Sequence, residues 1–293
     1  MCFMKVKARL SRTKFGANVI ARIMTMRPNF IVNVFIVCGL LSLSTAMSAQ
    51  SDMDDRKFRF GLMAAPNLGW LRPNISELER DGLQSRVGFG YGVMMDYKFS
   101  DSPNYLLTTG FNVTSGGGGL SEPWQTVVEE SDTSFTFNGA NSRTYRMQYL
   151  TVPILLKMRT GDIGYMSYFG AIGFDLGFRT RARVDNDYTW LGGSALQPAD
   201  ENDLEAKNEI NFLRLGLNVT LGAEYNLTGN TNVYAGIGFR NAFTNMFNGK
   251  DINRVLKPAS NGSPELDASG NVIESQLKRA NPFLLSLDVG VFF

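Results

Sequence analysis

The chain has 293 residues, 44% of them hydrophobic and 19% charged, with 30 glycines, 10 tyrosines, 21 phenylalanines, two cysteines and no histidine. The lack of histidine removes the commonest general base, the usual triad base and the commonest zinc ligand. The formal charge of +2 is unevenly spread, and the first fifty residues account for its sign.

From Met1 to Gln50 there is no acidic residue, while Lys5, Lys7, Arg9, Arg12, Lys14, Arg22 and Arg27 are basic. An apolar run from Phe30 to Leu43 follows, then small residues ending Ala46, Met47, Ser48, Ala49. That order predicts a secretory signal peptide over residues 1–49, and a start at Met26 would give a leader of ordinary length. The apolar run is too short to span a bilayer as a helix. Without the leader, 22 basic residues face 27 acidic ones, a net charge of −5. This argues against a nucleic-acid surface. Cys2 and Cys38 both lie in the leader, so the exported chain is expected to hold no disulfide and no metal thiolate.

A short periplasmic segment is expected over residues 50–57, then eight alternating stretches over 58–293. The first runs from about Phe58 to Trp70. In the second, Val87, Phe89, Tyr91, Val93, Met95, Tyr97 and Phe99 alternate with Arg86, Gly88, Gly90, Gly92, Met94, Asp96 and Lys98. The third, from about Tyr105 to Ser115, sets Tyr105, Leu107, Phe111 and Val113 against Thr108, Gly110, Asn112 and Thr114. The fourth, about Arg143 to Met158, is apolar on both faces near Leu155, and Pro153 predicts a bulge or a strand end there.

The fifth, about Tyr165 to Thr180, sets Tyr168, Ile172, Phe174, Leu176 and Phe178 against Ala171, Gly173, Asp175, Gly177 and Arg179. The sixth, FLRLGLNVTLGAEY from Phe212 to Tyr225, is the clearest. Leu213, Leu215, Leu217, Val219, Leu221, Ala223 and Tyr225 form one unbroken apolar face. The seventh runs from about Asn232 to Phe243 and the last from Pro282 to Phe293. A period of two means a strand, and a long apolar face opposite charges and glycines fits lipid on one side and a polar barrel interior on the other.

Connection lengths alternate. Short ones follow the second, fourth and sixth stretches (SDSPN, RTGDIG, NLTGNTN), and long ones follow the odd stretches: about 71–85, 116–142, 181–208 and 244–281. With both termini periplasmic, that order predicts an all-β fold: an eight-stranded antiparallel up-and-down transmembrane β-barrel with long extracellular loops. The glycine run Gly116 to Gly119 is expected to open a flexible loop. Inward glycines suit a narrow barrel, and aromatics near strand ends suit an interfacial girdle. The final stretch, with Leu287, Val289, Val291 and Phe293 on one face, is the expected C-terminal signal for barrel assembly machinery.

The inward set is expected to carry a charge network of Arg86, Asp96, Lys98, Arg146, Asp175, Arg179, Arg214, Glu224, Arg240 and Asp288. Side chains just fill an eight-stranded barrel, so these charges must pair. Two readings follow, a salt-bridged plug or a narrow polar path for small solutes. A third is a lipid-modifying enzyme, but barrel enzymes that act on lipid A, and barrel proteases, use histidine. No catalytic residue, cofactor or metal is expected. The loop carboxylates, including Glu122, Asp185, Asp187, Asp200, Glu201, Asp203, Glu205 and Glu209, read as solvated surface, as sites bridged by divalent cations to lipopolysaccharide, or as a site for a basic partner.

The stretches Tyr149–Lys157 (YLTVPILLK) and Tyr168–Phe174 (YFGAIGF) resemble the PorT-like outer-membrane β-barrel family of Bacteroidetes. Leu221–Leu227 (LGAEYNL), Tyr234–Arg240 (YAGIGFR) and Val289–Phe293 (VGVFF) match it too. Thr151 stands where the family commonly has an acidic residue. The resemblance implies an eight-stranded outer-membrane barrel, and its founding member serves type IX secretion. The expected partners are outer-membrane lipid or lipopolysaccharide, barrel assembly machinery and secretion-system proteins. No residue-level functional site carries over.

Overall fold

The computed structural model describes residues 57–79, 85–99, 102, 104–130, 133–190, 199–259 and 264–293. The leader expected over 1–49, and the segment expected over 50–57 apart from Lys57, lie outside the described residues.

The described residues form eleven strands in chain order: β1 (Phe58–Pro73), β2 (Arg86–Lys98), β3 (Tyr105–Glu130), β4 (Thr133–Arg159), β5 (Met166–Trp190), β6 (Glu201–Glu205), β7 (Leu213–Thr228), β8 (Thr231–Ala242), β9 (Arg254–Leu256), β10 (Glu274–Leu277) and β11 (Ala280–Phe292). Eight of them close a ring. β1, β2, β3, β4 and β5 pair in succession, β5 pairs β7, β7 pairs β8, β8 pairs β11, and β11 returns to β1, every pair antiparallel. The closing register runs from Gly61 opposite Phe292 to Pro73 opposite Ala280, and the Phe293 amide donates to the Phe60 carbonyl at 2.8 Å. Closure leaves no ring strand with an unpaired edge, which a strand in hydrocarbon requires.

Alternation sorts the side chains. On β2, Val87, Phe89, Tyr91 and Val93 are 78, 49, 54 and 50% exposed, while Gly90 and Asp96, on the opposite phase of the strand, are buried. Phe111, Ile154, Phe174, Leu221, Ile237 and Leu287 continue the exposed face around the ring. A soluble monomer rarely exposes so continuous an apolar surface, whereas a barrel in a bilayer must. One end of the ring has tight turns. Gly164 and Gly229 each stand first of two central hairpin residues with φ of 68° and 53°, a conformation glycine adopts without penalty.

At the other end the structure departs from expectation. The segment Gly116 to Ser142 is not a loop. β3 and β4 stay paired as far as Glu130 opposite Thr133, and Gly116, Gly117, Gly118 and Gly119 lie within β3, opposite Met147, Arg146, Tyr145 and Thr144. β5 likewise continues to Trp190 and takes β6 on its far side. Beyond the apolar belt no lipid enforces a greasy face, so the period-two signal fades while the hydrogen-bond ladder continues. Gly117 is obligatory there, because a Cβ would sit 1.9 Å from the Tyr145 carbonyl oxygen. Pro153 neither ends β4 nor marks its bulge. It lies mid-strand opposite Asp175, and the register shift is at Gln148/Tyr149.

Candidate functional site: the barrel interior

Inward side chains stack in three polar tiers between apolar layers. The charged groups of the tier nearest the tight turns come from four strands, and a hydroxyl from a fifth joins them. Arg59 of β1 donates to Asp96 of β2 at 2.7 Å and to Glu224 of β7 at 3.1 Å. Lys157 of β4 reaches Asp96 at 3.0 Å and also pairs with Glu224, while Arg159 lies 3.5 Å from Glu224. The Thr108 hydroxyl donates to the other Asp96 oxygen at 2.5 Å. The Lys157 ammonium sits 4.6 Å from both the Phe169 and the Phe292 ring centroids, so aromatic faces surround the charge where carboxylates do not. Met63, Ala65, Phe169, Tyr234 and Phe292 form the apolar layer here.

The middle tier centres on Arg240 of β8. It donates to Asp288 of β11 at 3.2 Å and to the Ser286 hydroxyl at 3.2 Å. Its Nε stands 3.4 Å from Asp175 Oδ2, an ion-pair contact without hydrogen-bond geometry. Asn218 donates to the other Asp175 oxygen at 2.9 Å. Arg214 lies over the Tyr149 ring at 4.3 Å and donates to Thr151 at 3.4 Å. The Thr151 hydroxyl thus accepts from an arginine.

The third tier joins the extended strands to the connections that fold over them. Lys278 pairs with Glu122 at 2.6 Å. Arg143 reaches Glu122 at 3.4 Å, Glu209 at 2.9 Å and the Asn186 side-chain oxygen at 3.0 Å. Around it Leu71, Leu120, Tyr145, Ile210, Phe247 and Val255 pack into the largest apolar cluster. Two interior cavities, about 20 Å³ and 30 Å³, lie between the tiers, each with room for a water or two.

Of the ten expected network residues, the structure brings Asp96, Glu224, Asp175, Arg214, Arg240 and Asp288 into these tiers. Lys98 ends β2, half-buried, and Arg179 donates to the Lys207 carbonyl at 2.5 Å near the mouth. Two lie elsewhere. Arg146 is on the outer wall, paired with Asp185 at 2.5 Å and Asp203 at 3.0 Å. Inward on β4 are its neighbours Tyr145 and Met147, both buried; a strand apolar on both faces gives no phase to read. Arg86 also lines an outer groove, with Gln148 and Arg181. The β2–β3 register slips by one residue between Gly90–Thr114 and the Ser85–Gly118 bridge, and a bulge re-aims side chains.

The carboxylates expected on solvated loops are partly consumed as well. Glu122 and Glu209 pair inside with Arg143, and Asp185 and Asp203 pair with Arg146. Sequence reasoning missed Arg59, Lys157, Arg159, Arg143 and Lys278. Arg59 was detectable, as a cation between the exposed Phe58 and Phe60. Among the described residues no group of three or more acidic, histidine or cysteine side chains forms a metal-binding cluster.

Leu287, Val289, Val291 and Phe293 lie on the outer face of the last strand and its end, with Leu287 and Phe293 exposed.

Comparison with solved structures finds several similar chains. Neisserial surface protein A is 14% identical, with 81% of this chain and 98% of that one covered at a TM-score of 0.36. Ail, the attachment invasion locus protein of Yersinia pestis, is 12% identical over 80% and 97%, at 0.32. The outer membrane protease OmpT from Escherichia coli is 9% identical over 84% and 99%, at 0.35. No curated protein matches. The family described as an outer membrane protein beta-barrel domain matches residues 48–248. The chain therefore belongs to that family and is a β-barrel protein of the outer membrane.

Proposed function

We propose that this is a non-enzymatic, plugged, up-and-down barrel that serves as a membrane-embedded scaffold, with its tight turns in the periplasm and its extended β3–β4–β5 end outside the cell. The observation that carries the reading is the tier of Arg59, Asp96, Lys157, Arg159 and Glu224, which draws on four strands and buries both carboxylates and the ammonium almost completely. Such a tier ties distant strands together and fills the section that a solute would have to cross. A truncated or unpaired member would leave a buried charge, so the network is costly unless complete. The resemblance of Tyr149–Lys157 to the PorT-like strand supports an accessory place in type IX protein secretion, through contacts made by the extended end or by the periplasmic turns. The outer face of β11, with Leu287, Val289 and Val291 and the following Phe293, is read as the assembly signal.

The refolded protein in a planar bilayer is expected to give no steady single-channel current. Regular current steps would favour the small-solute path instead. For the secretion role, deletion is expected to reduce export of secreted cargo and affinity purification from native membranes to recover secretion proteins. Unchanged export with no such partner would reject it.

A further inference from the structure

Immediately beyond the apolar belt, on the outer wall, the regular β2–β3 ladder is interrupted before the Ser85–Gly118 bridge. The ladder stops at Gly90 opposite Thr114. The Ser115 hydroxyl then takes the place of a backbone partner, accepting from the Phe89 amide at 3.0 Å and donating to the Phe89 carbonyl at 2.8 Å. Beside this interruption lies a groove of about 270 Å³ lined by Arg86, Arg146, Arg181, Arg183, Gln148 and Asp203. Four arginines from three strands share it. Arg146 and Arg183 stand directly opposite each other across the β4–β5 ladder, an arrangement that is unfavourable unless an anion lies between them.

One anion is built in. Asp203 of β6 accepts from Arg146 at 3.0 Å and from Arg183 at 3.4 Å, and Asp185 accepts from Arg146 at 2.5 Å. To present its carboxylate Asp203 adopts a left-handed backbone with φ of 60°, a conformation an L-residue takes at a cost. The two aspartates balance two of the four arginines. Among the described residues, Arg86 and Arg181 have no ion-pair partner, which leaves two guanidinium groups facing an open groove.

We propose that this groove binds the phosphate of a phosphorylated lipid headgroup lying in the adjacent leaflet. The chemistry fits: guanidinium forks hold phosphate oxygens in pairs, and the residual charge of two matches a phosphomonoester. The location selects a lipid over a soluble anion. The residues immediately toward the membrane are Val113, Leu150 and Phe178, so acyl chains attached to a phosphate held here would run down the apolar wall. Assignment to the outer leaflet, and so to a lipid A type of glycolipid, rests on the orientation proposed above.

The test uses the folded protein in detergent micelles, titrated with phosphorylated lipid A, dephosphorylated lipid A and inorganic phosphate, with binding read by native mass spectrometry. The phosphorylated lipid is expected to bind and its dephosphorylated form to bind at least about tenfold more weakly. Arg86→Gln with Arg181→Gln is expected to remove that preference, while Lys250→Gln, a charge change elsewhere on the surface, leaves it intact. Because neither arginine is paired, the double variant keeps the heat-modifiable gel mobility of a folded barrel. Equal binding of the two lipids, or undiminished preference in the double variant, would overturn the proposal. Binding of inorganic phosphate without preference for the phosphorylated lipid would overturn the lipid assignment and leave a free-anion site. Protease accessibility of the extended end in whole cells tests orientation separately, so a failure there is distinguishable from a failure of the groove.

Discussion

Glu224→Gln is the most informative single change to the interior. Its side chain is 1% exposed and touches three cations: Arg59 at 3.1 Å, Arg159 at 3.5 Å and Lys157. Neutralising it leaves those three cations facing Asp96 alone. Breaking a buried pair in this way costs about 3–5 kcal/mol, chiefly from the charge left uncompensated. With a urea slope of about 2 kcal/mol per molar, the midpoint should fall by about 2 M. The assay is urea unfolding of the refolded protein in lipid vesicles, followed by tryptophan fluorescence and gel mobility. Adding Lys157→Met to Glu224→Gln removes one surplus cation. The pair should therefore be less destabilised than the sum of the single changes, by about 1–3 kcal/mol. A Glu224→Gln midpoint within about 0.3 M of the parent, or strict additivity in the double variant, would refute the claim that this tier holds the strands together.

Three other outcomes follow from the geometry. Gly117→Val should prevent β3 and β4 from pairing at the Tyr145 carbonyl, giving no folded gel band, whereas Gly161→Ala, with open space around it, should fold normally. Glu122→Gln should loosen the connections over the third tier, because Lys278 and Arg143 both lose a carboxylate. Hydrogen exchange should then rise around Glu209 and Asn253, while the belt strands stay protected. Glu77 accepts from Ser275 at 2.5 Å and from Gln276 at 3.0 Å. Those hydrogen bonds, that from Ser275 foremost, hold its carboxyl down to about 2. Its folded value lies below the unfolded one, so the tether is fully present above the ordinary carboxylate range and is lost only as pH falls through about 2. A carbon-detected titration should show that midpoint, and Ser275→Ala should raise it; an ordinary midpoint in the parent would contradict the tether.

What the sequence made legible was the wall against lipid. β2 and β7 are read without difficulty because the bilayer demands an apolar side chain at every second position, and Val87 to Tyr97 and Leu213 to Tyr225 supply it. Legibility ends where that demand ends. The strands running past Ser115, Gln148 and Thr180 hold together by backbone hydrogen bonds and by contacts such as Gln125 Nε2 with Asn138 Oδ1 at 2.7 Å, which leave no periodic mark and pass for polar loop. The interior was half legible. Asp96, Glu224 and Asp288 stand among apolar alternates and announce themselves. Lys157 did not, because β4 is apolar on both faces, and Glu122, Glu209 and Lys278 did not, because they meet only when separate connections fold over the mouth. Arg86 could not be placed from alternation at all, since the slip near Ser115 depends on a side-chain hydroxyl replacing a backbone partner.

Alternate residues of the ring strands meet lipid on one side and a filled, ion-paired interior on the other. The residues from Lys57 onward contain no cysteine, so single cysteines can be introduced and spin-labelled along β7 from Leu213 to Leu221 in lipid vesicles. Collision with oxygen should peak at positions 215, 217 and 219 and fall at 216, 218 and 220, while a water-soluble nickel reagent reaches none of the six freely. Uniform accessibility along the strand, or ready access of the nickel reagent to positions 215, 217 and 219, would contradict the claim.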